Sequence, residues 1–453
     1  MSKRALVLIE DGSFTYDNRV KHETQALLNA GWEITVICPR FRGDPFHKRI
    51  SRALRVYFYP KPEANSVVGH VFEHAITLLL GGLLSGWVFV RHGFDVIHAC
   101  NPMDVFWLVA LPYKWLGKRF IYDQHDLCPE LFLSRYRRAA GGESLLLKAL
   151  LALERGSYRM ADIVIVVNES YKQIALRRGK VPPDRVFVVR NGPDAERFSG
   201  VVGEPPAVSS GDIVVGYLGN MNQQDGVEYL LQAVHAIVYE HKRSDIRFIL
   251  VGGGSHQQRL ARLAVEMGLQ QHVTFTGRVP DGQMLQALQA CNICVQPDPS
   301  NALNDVSTMN KALEYMAMAK PTVAFDLHET RVSCADAALY AQPNSPQDLA
   351  RKILHLADDP GLRMQLGRKG QQRIQTQLAW QFSVPALLGA YDCVSMETPE
   401  HTGEKKQQVP VSPFSPKTTS PLTATAVLNI PPVRLPRQVP SEPVTGSPPH
   451  FRG

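Results

Sequence analysis

A chain of 453 residues is long enough for two or three domains, and 44% hydrophobic with 20% charged residues is the balance of a globular protein with a large core. The net charge of +7 and pI near 9.0 admit an anionic partner such as a phosphorylated ligand or an acidic membrane surface. Lys/Arg-rich runs with interleaved aromatics are missing, which argues against nucleic acid. The seven cysteines are odd in number and unpatterned, as expected of reduced thiols in the cytosol. Cys291-Asn-Ile-Cys294 has zinc-like spacing, but no second pair accompanies it and its surroundings read as a buried strand, so no metal is expected.

The N-terminal apolar run, Ala5 to Ile9, is only five residues long and reads as a first buried strand rather than a leader. A helix over VKHETQALLNAG follows, ending at Gly31, then strands WEITVICP and LRVYFYP. Ile76 to Val90 is uncharged for fifteen residues but holds three glycines, so a helix pair is expected there. Two readings of residues 66–92 stay open: packing in the core, or resting on an anionic bilayer. The alternation continues with strand FDVIHAC, a helix around MDVFWLVALPYKWLG, strand RFIYDQHD leading into a polar loop, helix SLLLKALLALERGSYRMA, strand DIVIVVN, helix ESYKQIALRRG and strand RVFVVRNGPD. Strands alternating with helices predict βαβ units and a parallel sheet covered on both faces.

The Gly/Pro/Ser-rich stretch SGVVGEPPAVSSGD breaks the pattern near residue 200, and the alternation then restarts from DIVVGYLGN to ALYA. This predicts a second doubly wound sheet, with a ligand cleft at the carboxyl ends of the strands. Further helices follow to about residue 395. Beyond that, VPVSPFSPKTTSPLTATAVLNIPPVRLP and its flanks are Pro/Ser/Thr-rich with few large apolar groups, the composition of a disordered tail. The expected domains are 1–200 and 201–378, with a helix over 379–395 returning to the first domain and a tail over 396–453.

The chemistry concentrates at strand ends. In VVGYLGNMNQQDGVEYLL a strand stops at Gly219-Asn220 and a helix opens after Gly226, an arrangement able to receive a phosphate or to be an ordinary turn. In NDVSTMNKALEYMAMAKP, Asp305, Ser307 or Thr308 is placed to cap a helix that carries Lys311 in its first turn. A cation there opposes the helix dipole unless an anion sits at the helix end. Glu314 shares a face with Lys311, so the pair is either a surface ion pair or two grips on one nucleotide diphosphate. In the first half, His125, Asp126 and Glu130 follow a strand, and Asp17 and Arg19 follow the first one; all of these fall beside the same cleft. Asp17–Arg19 is equally readable as a structural pair. His98 is read as structural, and Arg190-Asn191-Gly192 falls at the crossing between the domains.

Over residues 3 to 395 the sequence resembles the retaining, nucleotide-sugar-dependent glycosyltransferases of family 4. The resemblance is carried by DNRVKHETQALLNAGWEITVI, VVRNGPDAERF, YLGNMNQQDG, FILVGGG, VTFTGRVP and KALEYMAMAKPTVAFD, and it is nearest to bacterial members that build capsule, O-antigen or exopolysaccharide. It implies the α/β GT-B fold, two doubly wound Rossmann-like domains facing each other across a cleft. It also implies a donor set of Gly219, Asn220, Arg278, Val279, Asp305, Asn310, Lys311 and Glu314. In that set Gly219 and Asn220 line the pyrophosphate, Arg278-Val279 lies by the base, Lys311 grips the diphosphate and Glu314 holds the ribose. His125 stands near the transferred sugar, which makes His125, Lys311 and Glu314 the catalytic set. Asp17, Arg19, Asp126 and Asn191 fall to the acceptor side. The implied partners are a nucleotide-diphosphate sugar, with UDP the expected nucleotide, and a glycan or polyprenyl-linked acceptor. No cofactor is implied, and the implied place is the cytoplasm, with peripheral contact at the inner face of the membrane. Two features depart from the family's pattern: Val306 stands where a first glutamate is usual, with Asp305 the adjacent acid, and the loop NMNQQDG lacks a cation, which leaves the diphosphate's charge either to Lys311 alone or to Lys311 assisted by Arg278 or Arg190. The alternatives are a UDP-sugar 2-epimerase on the same fold and a non-catalytic binding protein.

Overall fold

The computed structural model describes residues 3–396 apart from 42, 63–66, 103, 137–144, 195–196 and 199–211. The tail expected beyond residue 396, and almost all of the break near residue 200, lie outside the described residues. The first sheet contains β1 (Arg4–Ile9), β2 (Glu33–Arg40), β3 (His47–Arg49), β4 (Leu54–Pro60), β5 (Val96–Cys100), β6 (Arg119–Gln124), β7 (Ile163–Val166) and β8 (Val186–Val188). Its spatial order is β3-β4-β2-β1-β5-β6-β7-β8. Every pairing is parallel except β3 on β4, an exposed edge strand too short and polar to be read from sequence. β1, β5, β6 and β7 are almost continuously buried because helices cover both faces, which is why they read as unbroken apolar runs.

The second sheet contains β9 (Ile213–Leu218), β10 (Ile246–Val251), β11 (Val273–Gly277), β12 (Ile293–Gln296), β13 (Thr322–Phe325) and β14 (Ala338–Ala341), in the order β11-β10-β9-β12-β13-β14, all parallel. In each sheet the winding reverses beside the first strand of the half, between β1 and β5 and between β9 and β12. The crevice at the carboxyl ends of these strands is where open α/β sheets take their ligands.

Helix α1 (Asn18–Asn29) is capped by Asp17, whose side chain accepts from the Val20 amide at 3.0 Å. The expected helix pair at residues 66–92 is instead one helix, α2 (Val67–Arg91). Its glycines are contact points rather than breaks. A Cβ on Gly81 would meet Phe106 at 3.4 Å, and the neighbouring Ser85 hydroxyl shares a 2.9 Å hydrogen bond with Tyr113. Phe106 and Tyr113 belong to α3 (Phe106–Trp115), so the small residues of α2 let α3 approach. The stretch Phe72–Arg91 is long and apolar enough to cross a membrane by length and composition, and 28% of it is buried. The polar loop expected after β6 holds a helix, α4 (Cys128–Tyr136), followed by α5 (Leu145–Met160) and α6 (Glu169–Arg177).

The last helix, Val384–Met396, packs in the first sheet's core rather than the second's: Leu387, Ala390, Tyr391 and Val394 cluster with Trp32, Ile34 and Ile163. The chain crosses back at Leu378–Trp380, directly over Gly192. A Cβ on Gly192 would lie 2.2 Å from the Leu378 carbonyl oxygen, so the two crossings touch backbone to backbone.

Candidate active site

A cleft of about 430 Å³ opens between the two sheets. From the first domain it takes Asp17, Arg19, His125, Asp126 and Asn191; from the second, Asn310 and Glu314. These sequence-selected residues are joined by several that sequence reasoning passed over: Tyr16, His22, Tyr171, Arg197 and Trp380. Gly219, Asn220, Arg278, Val279, Asp305 and Lys311 do not line it.

Arg19 organises the first-domain wall. Its guanidinium is buried and donates to Asp123 Oδ1 at 2.9 Å, to the Val189 carbonyl at 2.8 Å and to Asn191 Oδ1 at 2.6 Å, and it pairs with Glu23 at 3.0 Å. It makes no pair with Asp17, whose carboxylate is spent on the α1 cap. That corrects the Asp17–Arg19 pairing considered from sequence: two residues on, about half a helical turn, Arg19 reaches inward while Asp17 turns back on the backbone. One arginine thus ties the ends of β6 and β8 together. Asp123 also contacts His125 Nε2 at 2.5 Å and His98 Nε2 at 3.2 Å, while His98 Nδ1 contacts the Tyr391 hydroxyl at 2.8 Å.

The electrostatics follow from burial. Burial favours the protonated acid at Asp123, but Arg19 and His125 together hold its carboxyl well below the ordinary range. Burial lowers the His125 pKa, and the adjacent Asp123 carboxylate more than reverses that, so the imidazole is raised. Glu23 is pushed up to about 7 by burial, only partly offset by Arg19. Asn101, at the end of β5, accepts the backbone amides of His125 at 2.7 Å and Asp126 at 3.0 Å, which fixes the loop. Asp126 is itself raised by burial. Glu23, His98, Cys100 and Asp123 offer ligand atoms within 4.8 Å of one another, but the Arg19 guanidinium already supplies the cation this set would hold.

On the second-domain wall, Glu314 meets Arg197 at 3.4 Å, and Arg197 also grips Asp281. Burial raises the Glu314 carboxyl against the opposing pull of Arg197. The sequence signal for Arg197 was slight: one cation in AERF, just beyond the crossing.

Lys311 requires a correction. The helix Asn310–Ala317 has Met309 at its cap position with no side-chain cap, so Asp305, Ser307 and Thr308 do not play that part. Lys311 is buried, and its ammonium donates to both Asp298 oxygens, at 2.7 and 2.9 Å, 5.1 Å from the centre of the Tyr217 ring. The anion that balances this lysine is therefore carried by the protein. Asp298 lies two residues beyond β12, in the strand-end position that marked the other candidates, and could have been found by that rule. Burial outweighs the lysine and raises the Asp298 carboxyl. Gly219 stands beside this pair: a Cβ there would lie 3.1 Å from Lys311 Cε. Arg278 is exposed, and its side chain lies along Gly253, where a Cβ would meet Arg278 Cγ at 3.1 Å; Val279 packs on the second domain's core. Asp305 accepts from Ser300 Oγ at 3.0 Å.

The Val306 segment joins the domains. Asn168, which caps α6, donates from Nδ2 to the Val306 carbonyl at 2.9 Å and to Thr308 Oγ1 at 3.0 Å. The Tyr171 hydroxyl shares a 3.1 Å hydrogen bond with Ser307 Oγ. Leu303 is buried in the first domain's core and Val306 packs against it. Where a glutamate is usual in the family, an apolar side chain fastens one domain to the other.

A family model described as Glycosyltransferase Family 4 matches residues 17–197, and one described as Glycosyl transferases group 1 matches residues 212–359. Each match falls on one of the two sheets. In both halves the chain is similar to known glycosyltransferases. Its architecture is GT-B. A D-inositol 3-phosphate glycosyltransferase from Corynebacterium jeikeium is 24% identical over 54% of this chain and 60% of its own length. Among solved structures, sucrose-phosphate synthase from Thermosynechococcus elongatus superposes with a TM-score of 0.68 at 20% identity, covering 87% of this chain and all of its own. Anabaena HepE in complex with UDP-glucose gives a TM-score of 0.60 at 15% identity, covering 86% of this chain and 99% of its own. The chain spans 55% to 60% of the length of the first curated relatives it matches.

Proposed function

We infer that this glycosyltransferase moves a sugar, with retention of configuration, from a nucleotide-diphosphate sugar to a glycan or lipid-linked acceptor in bacterial surface polysaccharide synthesis. The observation that carries the reading is the cleft itself, with His125 on one wall and Glu314 on the other, opening at the carboxyl ends of two doubly wound sheets. UDP is the favoured nucleotide because a fold neighbour binds UDP-glucose. In this reading Gly219, Asn220, Lys311 and Asn310 receive the diphosphate, Glu314 accepts hydrogen bonds from the ribose, and Arg278-Val279 flanks the base. Lys311 stabilises the charge that develops on the leaving diphosphate, which is the dominant demand of such a transfer. The departing phosphate oxygen takes the acceptor's proton on the same face, so His125 positions and polarises instead of acting as an obligatory base. Asp17, Arg19, Asp126 and Asn191 hold the acceptor side, next to Tyr16 and Trp380.

An acceptor on a lipid carrier is supported by α2, which exposes Phe72, Leu79, Leu83, Trp87 and Val90 along one stripe. We place the enzyme at the cytoplasmic face of the membrane on that ground. One observation favours a rival: Asp298 already neutralises Lys311, as it would in a protein that binds without transferring. Incubation with a panel of UDP-sugars, with and without polyprenyl-linked acceptor, separates the cases. Acceptor-dependent release of UDP is expected. Epimerised sugar without acceptor, or no turnover of any donor, would overturn the assignment.

A further inference from the structure

We propose that a second cavity, on the far side of the first sheet from the cleft, binds a ligand carrying a multiply charged phosphate. It measures about 460 Å³ and lies where α5 and α6 end. Arg155, Arg159, Lys180 and Arg185 converge on it, and among the described residues no carboxylate lines it. All four side chains are exposed, and none makes an ion pair or side-chain hydrogen bond among the described residues. Arg178, in the same wall, shows the contrast: its guanidinium is bound by Glu130 and Glu154. Four like charges around one concavity repel one another unless an anion joins them.

Compensation of helix dipoles accounts for Arg159, in the last turn of α5. It does not account for Lys180 and Arg185, which lie beyond α6 in the turn leading to β8. Lys180 holds φ +56°, a position usually taken by glycine or asparagine at a helix end. Lys242 shares that φ at another helix end, so the backbone alone assigns nothing; the converging charges and the cavity do. The volume suits a small ligand, and guanidinium groups match phosphate oxygens in pairs. The site is separate from the cleft. It sits at the amino ends of β7 and β8, whereas Val167 and Asn191 reach the cleft just past their carboxyl ends. The four residues of β7 alone separate the two by roughly 13 Å.

Two sources could supply this phosphate: a soluble phosphorylated compound, or a phospholipid headgroup. The second is in reach because Lys114, near the exposed Trp115 and Leu116, donates to the Met160 carbonyl at the end of α5 at 2.9 Å. The test uses the full chain and a Arg155→Ala/Lys180→Ala/Arg185→Ala variant, whose exposed changes should leave thermal stability intact. Inorganic pyrophosphate is titrated calorimetrically with UDP present to fill the cleft, and UDP binding is read separately, so that failure of the donor assignment shows on its own. The variant should bind pyrophosphate about tenfold more weakly. Co-sedimentation with phosphatidylcholine vesicles, with and without phosphatidylglycerol, distinguishes the sources. Loss of phosphatidylglycerol-dependent binding in the variant identifies a headgroup, and loss of pyrophosphate binding alone identifies a soluble ligand. A folded variant that matches the wild type in both assays, or a wild type that binds neither probe, overturns the proposal.

Discussion

Replacing Asp298 by asparagine removes one partner of the buried Lys311 pair while keeping its shape. At the observed 2.7 Å and an effective dielectric constant of about 20, the gross attraction is ~6 kcal/mol. Most of this repays the cost of taking both charges out of water, and leaving one ion buried without its partner typically costs ~3–5 kcal/mol. The Asp298→Asn protein should therefore unfold at distinctly lower denaturant, by an amount in that range. If the donor diphosphate meets Lys311, UDP supplies the missing anion, and the loss should be partly restored when UDP is added. UDP should then bind Asp298→Asn about tenfold more tightly than wild type, the equivalent of roughly 1.5 kcal/mol for a charge-assisted hydrogen bond. Urea titrations with and without UDP, alongside calorimetric UDP binding, read both quantities. Equal stabilisation of the two proteins by UDP would refute the idea that Lys311 exchanges Asp298 for a diphosphate.

Other outcomes follow from the same geometry. If Glu314 holds the donor's ribose as proposed, Glu314→Gln should raise the KM for donor by about 10- to 100-fold, the loss of hydrogen bonds to a charged acceptor, with little change in thermal midpoint; donor kinetics check this. Arg19→Met leaves Asp123 buried without its main counter-ion and should cost ~3–5 kcal/mol in urea unfolding, since the pair is nearly inaccessible. Glu23 has a folded pKa of about 7 against 4.5 in the unfolded chain, so the folded state holds the extra proton between those values and stability falls as pH rises through that window. Glu23→Gln should remove that slope, so its thermal midpoint should gain on the wild type from pH 5 to pH 8. Gly192→Ala, with its Cβ forced against the Leu378 carbonyl, should destabilise by ~1–3 kcal/mol or more, measurable by the same unfolding assay.

Much of the architecture was readable because parallel strands covered on both faces must be apolar along their length. VLI, VIHAC, IVIV and FILV carry that signal, and the polar residues just past them mark the cleft. The unread pieces share a cause: they depend on what packs across space. β3 is exposed on both sides and carries no apolar pattern. The glycines of α2 look like interruptions until Phe106 and Tyr113 are placed against them. Lys311 looked unbalanced because its partner stands thirteen positions earlier, outside any helical spacing, on the far side of the strand–helix turn. Arg197 and Trp380 enter the cleft only because the chain crosses between domains twice at Gly192.

The fastening at residues 303–308 bears on how the protein breathes. In an ordinary hinge the two halves part at the linker and little else changes. Here Leu303 and Val306 have to slide out of the opposite domain's core, and Asn168 and Tyr171 have to trade their partners for water, before the halves separate. Withdrawing two aliphatic side chains alone costs ~3 kcal/mol or more, a population of open molecules below about one in a hundred. The resting protein is accordingly shut, and any ligand enclosed in the cleft has to wait for this fastening to open before it leaves. Val306→Glu, which restores the usual acid but loosens the clasp, should widen the molecule in small-angle scattering; an unchanged radius of gyration would count against the clasp.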